Sequence, residues 1–136
     1  MKPIISDSEL YEIANQARKR AYAPYSNITV GAALLTSSGK VYTGVNIENA
    51  AHAPGVCAER CAIFEAVANG ERDFVKIAVA GGNEGSAPRE VFAPCGVCRQ
   101  VMAEFCGSDF KVIFGKGYEK SFGELLPFSF DKDSIK

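Results

Sequence analysis

The sequence predicts an α/β domain in which helices are layered on a mixed β-sheet. Three observations carry this reading. Segments of helical and strand periodicity alternate along the chain. Residues 28–35 form a nearly unbroken apolar run, the pattern of a strand covered on both faces. Ser37-Ser38-Gly39-Lys40 then separates that run from a second strand, as a hairpin requires. The chain has 136 residues, which suits a single domain over 1–136. A fold of that size buries roughly two-thirds of the surface of its unfolded chain. With 47% hydrophobic and 23% charged residues, the composition supplies a core and argues against disorder.

Taken in order, Ser6-x-x-Glu9 reads as a capping box, and Leu10, Ile13, Ala14, Ala17 and Ala21 follow at helical spacing. That helix should stop before Ala23-Pro24, since proline disfavours helical geometry in the residue before it. Strands are expected at 28–35 and 41–47. A loop with Pro54 and Gly55 leads to a helix starting near Cys57 and ending at Asn69-Gly70. A strand over 75–80 precedes a polar, Gly-rich loop over 81–89. Residues 95–106 read as a helix through Val97, Val101, Met102 and Phe105. Short strands follow at 111–114 and 118–122, and Glu124-Leu125-Leu126 reads as a last helical turn stopped by Pro127.

Charge and cysteine content narrow the function. The net charge is −1, without the basic excess that a protein gripping a phosphate backbone needs, so a small molecule is favoured over nucleic acid. The first ten residues are too polar for a signal peptide, and no segment approaches the ~20 apolar residues of a membrane span. Five cysteines, at 57, 61, 95, 98 and 106, are an odd number. Without a secretory signal they point to a reducing, cytoplasmic setting and to metal ligation before disulfides.

Cys95-Gly96-Val97-Cys98 can present two thiolates to one tetrahedral zinc, although the same spacing serves redox pairs and structural zinc sites. Cys57 stands at a predicted helix start, where the dipole favours thiolate. Glu59 falls in the first turn, a position also common for acids without a role. Combined, Cys57, Cys95 and Cys98 supply three ligands and leave a fourth position for water, with Glu59 placed to move its protons. Three thiolates leave the site with excess negative charge, which makes Arg60, beside Cys57, the natural group to draw charge from the sulfurs. A closed four-cysteine module using Cys61 is the competing arrangement.

Five motifs then stand out together: Ala23-Pro24-Tyr25-Ser26, Val30-Gly31-Ala32-Ala33-Leu34, Asn46-Ile47-Glu48-Asn49-Ala50, Cys57-Ala58-Glu59-Arg60 and Pro94-Cys95-Gly96-Val97-Cys98-Arg99-Gln100. With Leu125-Leu126-Pro127 and Phe130, they make the chain resemble the small, tetrameric, zinc-dependent cytidine deaminases from about Leu10 to Phe130. The resemblance implies a three-layer αβα sandwich around a mixed, about five-stranded sheet. It implies one Zn²⁺ per chain on Cys57, Cys95 and Cys98, and Glu59 as the proton shuttle. The reaction implied is hydrolytic deamination of cytidine and 2′-deoxycytidine to uridine and 2′-deoxyuridine plus ammonia, as in pyrimidine salvage. Asn46 and Glu48 would bind the ribose hydroxyls. Phe130 would reach the active site of a neighbouring subunit in a homotetramer with shared sites.

The chain departs from the family pattern at three places. Ile28 stands where many members carry a phenylalanine near the pyrimidine ring. His52 replaces a common tyrosine, and as the only histidine it reads as a surface or subunit-contact residue, because the ligand set is already complete. Ala53-Pro54-Gly55 is not the commonest form of its loop. These changes bear on pocket contacts, which set specificity, and leave a modified nucleoside or nucleoside antibiotic as the alternative substrate.

Overall fold

A computed structural model describes residues 5–136; the first four residues of the polar opening stretch lie outside the described residues. Helix α1 spans Asp7–Ala17, β1 Ile28–Thr36, β2 Val41–Val45, α2 Ala58–Ala68, β3 Phe74–Asn83, α3 Gly96–Phe105, β4 Lys111–Gly115, β5 Tyr118–Ser121 and α4 Phe122–Leu125. The five strands form one sheet in the order β2-β1-β3-β4-β5. Only the β3–β4 pair is parallel, with α3 in the connection between its two strands; the other pairs are antiparallel. The expected mixed sheet is therefore present.

Alternation along the central strands builds the three layers. Leu34, Ile77, Val79 and Val112 face α2 and α3 and pack on Ala62, Ile63 and Met102. Their neighbours Ala33, Leu35, Ala78 and Ile113 face α1 and pack on Leu10, Tyr11 and Ala14. Successive strand residues point to opposite faces, so β1 and β3, covered on both, are apolar through 30–35 and 77–82. Gly44 of β2 lets α2 approach closely, because a Cβ there would run into the backbone of Ala58 and Ala62. That contact fixes the height of the α2 N-terminus above the sheet. The helix ends where Gly70 takes a φ of 88°.

Several boundaries differ from the sequence reading. The helix periodicity continued to Ala21, yet α1 ends at Ala17 and tightens into a 3₁₀ turn over Arg18–Arg20. Arg18 is turned inward, donating to the carbonyls of Thr29 (3.0 Å) and Asn83 (3.1 Å) and to Asn15 Oδ1 (3.0 Å). Gly81, Gly82 and Asn83 belong to β3 rather than to a loop. They pair with Val30, Thr29 and Ile28, and the lack of bulk at the two glycines admits Phe92 and residues 87–89 alongside. Strand β2 stops at Val45, and Ile47 makes isolated bridges to Tyr22 and Val56. The last helix begins at Phe122, earlier than the Glu124 start the sequence suggested, because Ser121 and Glu124 form a capping box.

Asp7 ties α1 to the sheet. Its two carboxylate oxygens accept from Lys76 of β3 (2.7 Å) and Lys111 of β4 (3.0 Å), and Lys76 is buried. The Lys76 hydrogen bond, joined by that from Lys111, outweighs partial burial and lowers the carboxyl to about 2. A carboxyl depressed in the fold stabilises it above the unfolded pKa and loses that contribution as pH falls through the folded one. Asp7→Asn is therefore expected to lower unfolding free energy at pH 7 by about 1 kcal/mol, the modest end for charge-assisted bonds because the carboxylate is part-exposed. In urea titrations the gap between parent and variant should close as pH falls from about 4 toward about 2. A gap independent of pH would rule out this ion pair as its source.

Candidate active site

Two helix starts meet on one face of the sheet. Cys57 is the N-cap residue of α2 and Cys95 that of α3, both with extended backbones. Their sulfurs lie 3.6 Å apart, and Cys98, one turn into α3 and fully buried, places its sulfur 3.3 Å from that of Cys95. All three sulfurs fall within 4.8 Å of one another. Thiolates about 2.3 Å from a tetrahedral zinc stand about 3.8 Å apart. A disulfide needs about 2.0 Å, so the triangle suits a shared cation and not a covalent bond.

Cys61 does not join the sulfur group found among the described residues. Its Cβ lies toward Gly44 of β2, on the side of α2 that packs on the sheet. The closed four-cysteine arrangement is thus not formed. Cys106 is a core thiol, pushed up to about 12 by burial.

The Cys57 and Cys98 thiols are shifted in opposite directions. A hydrogen bond from Cys98, aided by Arg60 and Cys95, outweighs burial and brings the Cys57 thiol down to about 5. The same bond, together with burial, holds the Cys98 thiol up. Arg60 donates from Nη2 to Cys57 Sγ at 3.4 Å. Its Nε is buried without a partner. The guanidinium places a positive charge against the sulfur cluster. The three-sulfur set fits Zn²⁺ in donor type, number and spacing.

A cleft of about 840 Å³ opens beside the cluster, lined by Cys57, Cys95 and Glu59 at one end and by Asn46, Glu48 and His52 elsewhere. Glu59, in the first turn of α2, is 3% exposed. Burial, reinforced by the charge of Cys57, raises its carboxyl to about 7. The group can therefore take up and release a proton near neutrality.

Asn46 and Glu48 both line the cleft, and both are already engaged. Asn46 extends the sheet by side chain: Oδ1 accepts from Val30 N and Nδ2 donates to Ile28 O, each at 2.8 Å. One N–H and further lone pairs stay available for a ligand. The Glu48 carboxylate accepts from Tyr25 N (3.0 Å), Ser26 N (3.1 Å) and the Ser26 hydroxyl. These bonds, the hydroxyl first, lower its pKa, so it stands as a fixed anion. This anchoring by Tyr25 and Ser26 was not foreseen, although the turn-forming Pro24-Tyr25-Ser26 was its signal. His52 sits at the rim with a φ of 63°, exposed and outside the sulfur group. Phe130 is 62% exposed and does not line this cleft; its carbonyl accepts from Gln100 Nε2 at 2.8 Å.

A buried carboxyl group set beside three cysteine sulfurs spaced to hold one zinc is the arrangement of the zinc-dependent hydrolytic deaminases. Comparison with known proteins narrows the class. Residues 4–116 match the family model described as the cytidine and deoxycytidylate deaminase zinc-binding region, and the chain belongs to this family. A cytidine deaminase from Halalkalibacterium halodurans is 46% identical over 93% of this chain and 95% of its own. The crystal structure of cytidine deaminase from Burkholderia pseudomallei superposes with a TM-score of 0.84 at 45% identity, covering 93% of this chain and 100% of that one. A blasticidin-S deaminase from Bacillus cereus is 32% identical over 93% of this chain and 94% of its own.

Metal analysis checks the ligand set. Cys95→Ser should lose most of its zinc, whereas Cys61→Ser should keep about one zinc per chain, as a three-thiolate site predicts. Full zinc in the first variant would remove Cys95 from the site.

Proposed function

We propose that this enzyme deaminates cytidine and 2′-deoxycytidine, with water, to uridine and 2′-deoxyuridine plus ammonia. The observation that carries the reading is the buried Glu59 beside the Cys57–Cys95–Cys98 triangle, lining with Cys57 and Cys95 a nucleoside-sized cleft. Zinc held by these three residues would act as the Lewis acid that makes a water acidic enough to ionise near neutral pH. Glu59 accepts the proton from that water as its oxygen adds to C4 of the base. It then donates a proton to N3. It finally carries the remaining proton to the exocyclic amine, which leaves as ammonia while the C4 carbonyl forms. A carboxyl that titrates at about 7 suits each direction of transfer.

Asn46 and the fixed Glu48 carboxylate receive the ribose hydroxyls, which selects nucleosides over free bases. Arg60 offsets the charge of the thiolates. Single-domain organisation over 1–136, a cytoplasmic location and a part in pyrimidine salvage complete the reading. Cysteines placed to hold a metal suit a reducing compartment, and among the described residues no helix is long and apolar enough to cross a membrane. The relative that acts on blasticidin S gives the nucleoside-antibiotic alternative a specific basis, and side-by-side turnover of cytidine and blasticidin S separates the two.

Assembly into a homotetramer with shared sites is part of the proposal. Such ligands are normally buried by about 70% or more, and one chain leaves the cleft open. Tyr25, Val97 and Ile47 on its walls are exposed, and so are Phe128 and Phe130 near the chain end. A closed symmetric assembly would cover them and bring Phe130 to a neighbour's cleft. Sedimentation at micromolar concentration should show four chains, and a fully active monomer would refute shared sites.

Glu59→Gln should keep fold and zinc while losing at least ~10²–10⁴-fold in turnover of cytidine, followed by ammonia release and ultraviolet absorbance. Turnover within tenfold of the parent would assign the proton transfers to another group.

A further inference from the structure

We propose that Phe92 is the aromatic wall at the base-binding end of the cleft, and that Gly81 is the seat that holds its ring there. The assignment rests on the nucleoside reading above and adds a specificity-determining residue to it. Phe92 lies three residues before Cys95 and lines the same cleft as Cys95, Glu59, Ile28 and Val30. The other ring-bearing residues of the lining, Tyr25 and His52, belong to segments at the Glu48 side. The end of the cleft that would receive the pyrimidine therefore has one aromatic ring, carried by the loop before Cys95 and sharing the cleft lining with Ile28 and Val30.

Three contacts fix that ring. Phe92 N donates to Phe114 O of β4 at 2.8 Å, which pins the backbone entering the metal loop. A Cβ built on Gly81 would lie 2.7, 2.7 and 2.8 Å from ring atoms Cδ2, Cγ and Cδ1. Three near-equal distances mean that the ring is laid over β3 at this point. Any side chain at position 81 must displace it. Gly81 pairs with Val30, two residues from Ile28, so the ring adjoins both. Arg89 N donates to Gly81 O at 2.8 Å, and its guanidinium carbon stands 5.9 Å from the ring centroid.

A ring held on several sides loses little freedom when a planar heterocycle packs against it, so its contact appears as affinity. Aromatic contacts of this kind correspond to changes of about three- to tenfold in binding. A ring that served only the core would affect every ligand alike, whereas a ring that reads the base should distinguish an aromatic pyrimidine from a saturated one.

The test is calorimetric binding of uridine and 5,6-dihydrouridine to zinc-replete protein. Phe92→Leu should weaken uridine about three- to tenfold and dihydrouridine less than twofold, with zinc content unchanged. Gly81→Ala, which displaces the ring from outside the cleft, should show the same selective loss. Equal weakening of both ligands, or no weakening, in whichever variant retains fold and zinc would overturn the assignment, as would failure of the parent to bind uridine. If the parent binds uridine but does not consume cytidine, the deaminase reading fails while the role of Phe92 stands.

Discussion

The sulfurs of Cys57, Cys95 and Cys98 can share one cation because α2 and α3 begin at the same point on one face of the sheet. Everything that places those two starts is remote from the metal. Gly44 lets α2 settle on β2, and Met102 and Ala103 of α3 pack with Ile63, Ile77 and Val112 in one core. The helices approach through apolar burial, which is non-directional. The N-cap geometry of Cys57 and Cys95 turns that approach into a sulfur group in which Cys95 stands 3.6 Å from Cys57 and 3.3 Å from Cys98, near the ~3.8 Å between thiolates on a tetrahedral ion.

The same constraint creates the acid-base group. A residue two positions after an N-cap lies in the first turn, and here that turn is buried against the sheet. Glu59 is thereby removed from water and its carboxyl rises to about 7. On an exposed helix the same glutamate would be an ordinary anion. Arg60, the next residue, reaches the sulfur group as well and donates to Cys57 Sγ, so a buried carboxyl and a guanidinium adjoin the same sulfurs. The Glu48 carboxylate shows the opposite treatment. Three hydrogen bonds from Tyr25 and Ser26 keep it charged.

The chemistry-bearing residues were legible because short spacing fixed them. The interval between Cys95 and Cys98, and Glu59 following Cys57, give each residue a definite place on a helix start. Order and type of the elements were legible from periodicity, with β1 the clearest because both of its faces are buried. What escaped depended on contacts between distant segments. Gly81 and Gly82 read as loop residues because nothing local says that Phe92 and residues 87–89 cover them. The end of α1 depends on the carbonyls of Thr29 and Asn83, which receive Arg18. The double engagement of Asn46 depends on the end of β1, 16 and 18 positions away. Phe130 had its motif, but a single chain leaves it on the surface.

The central claim is that a three-sulfur site leaves one position open to the cleft. X-ray absorption at the zinc edge of the purified protein tests it most directly. The account predicts three sulfur scatterers at about 2.3 Å and one oxygen or nitrogen at about 2.0 Å. Replacing the sulfur of Cys61 should leave that spectrum unchanged. Four sulfurs at one distance would contradict the account, because the site would then be closed and Glu59 would have no water to deprotonate.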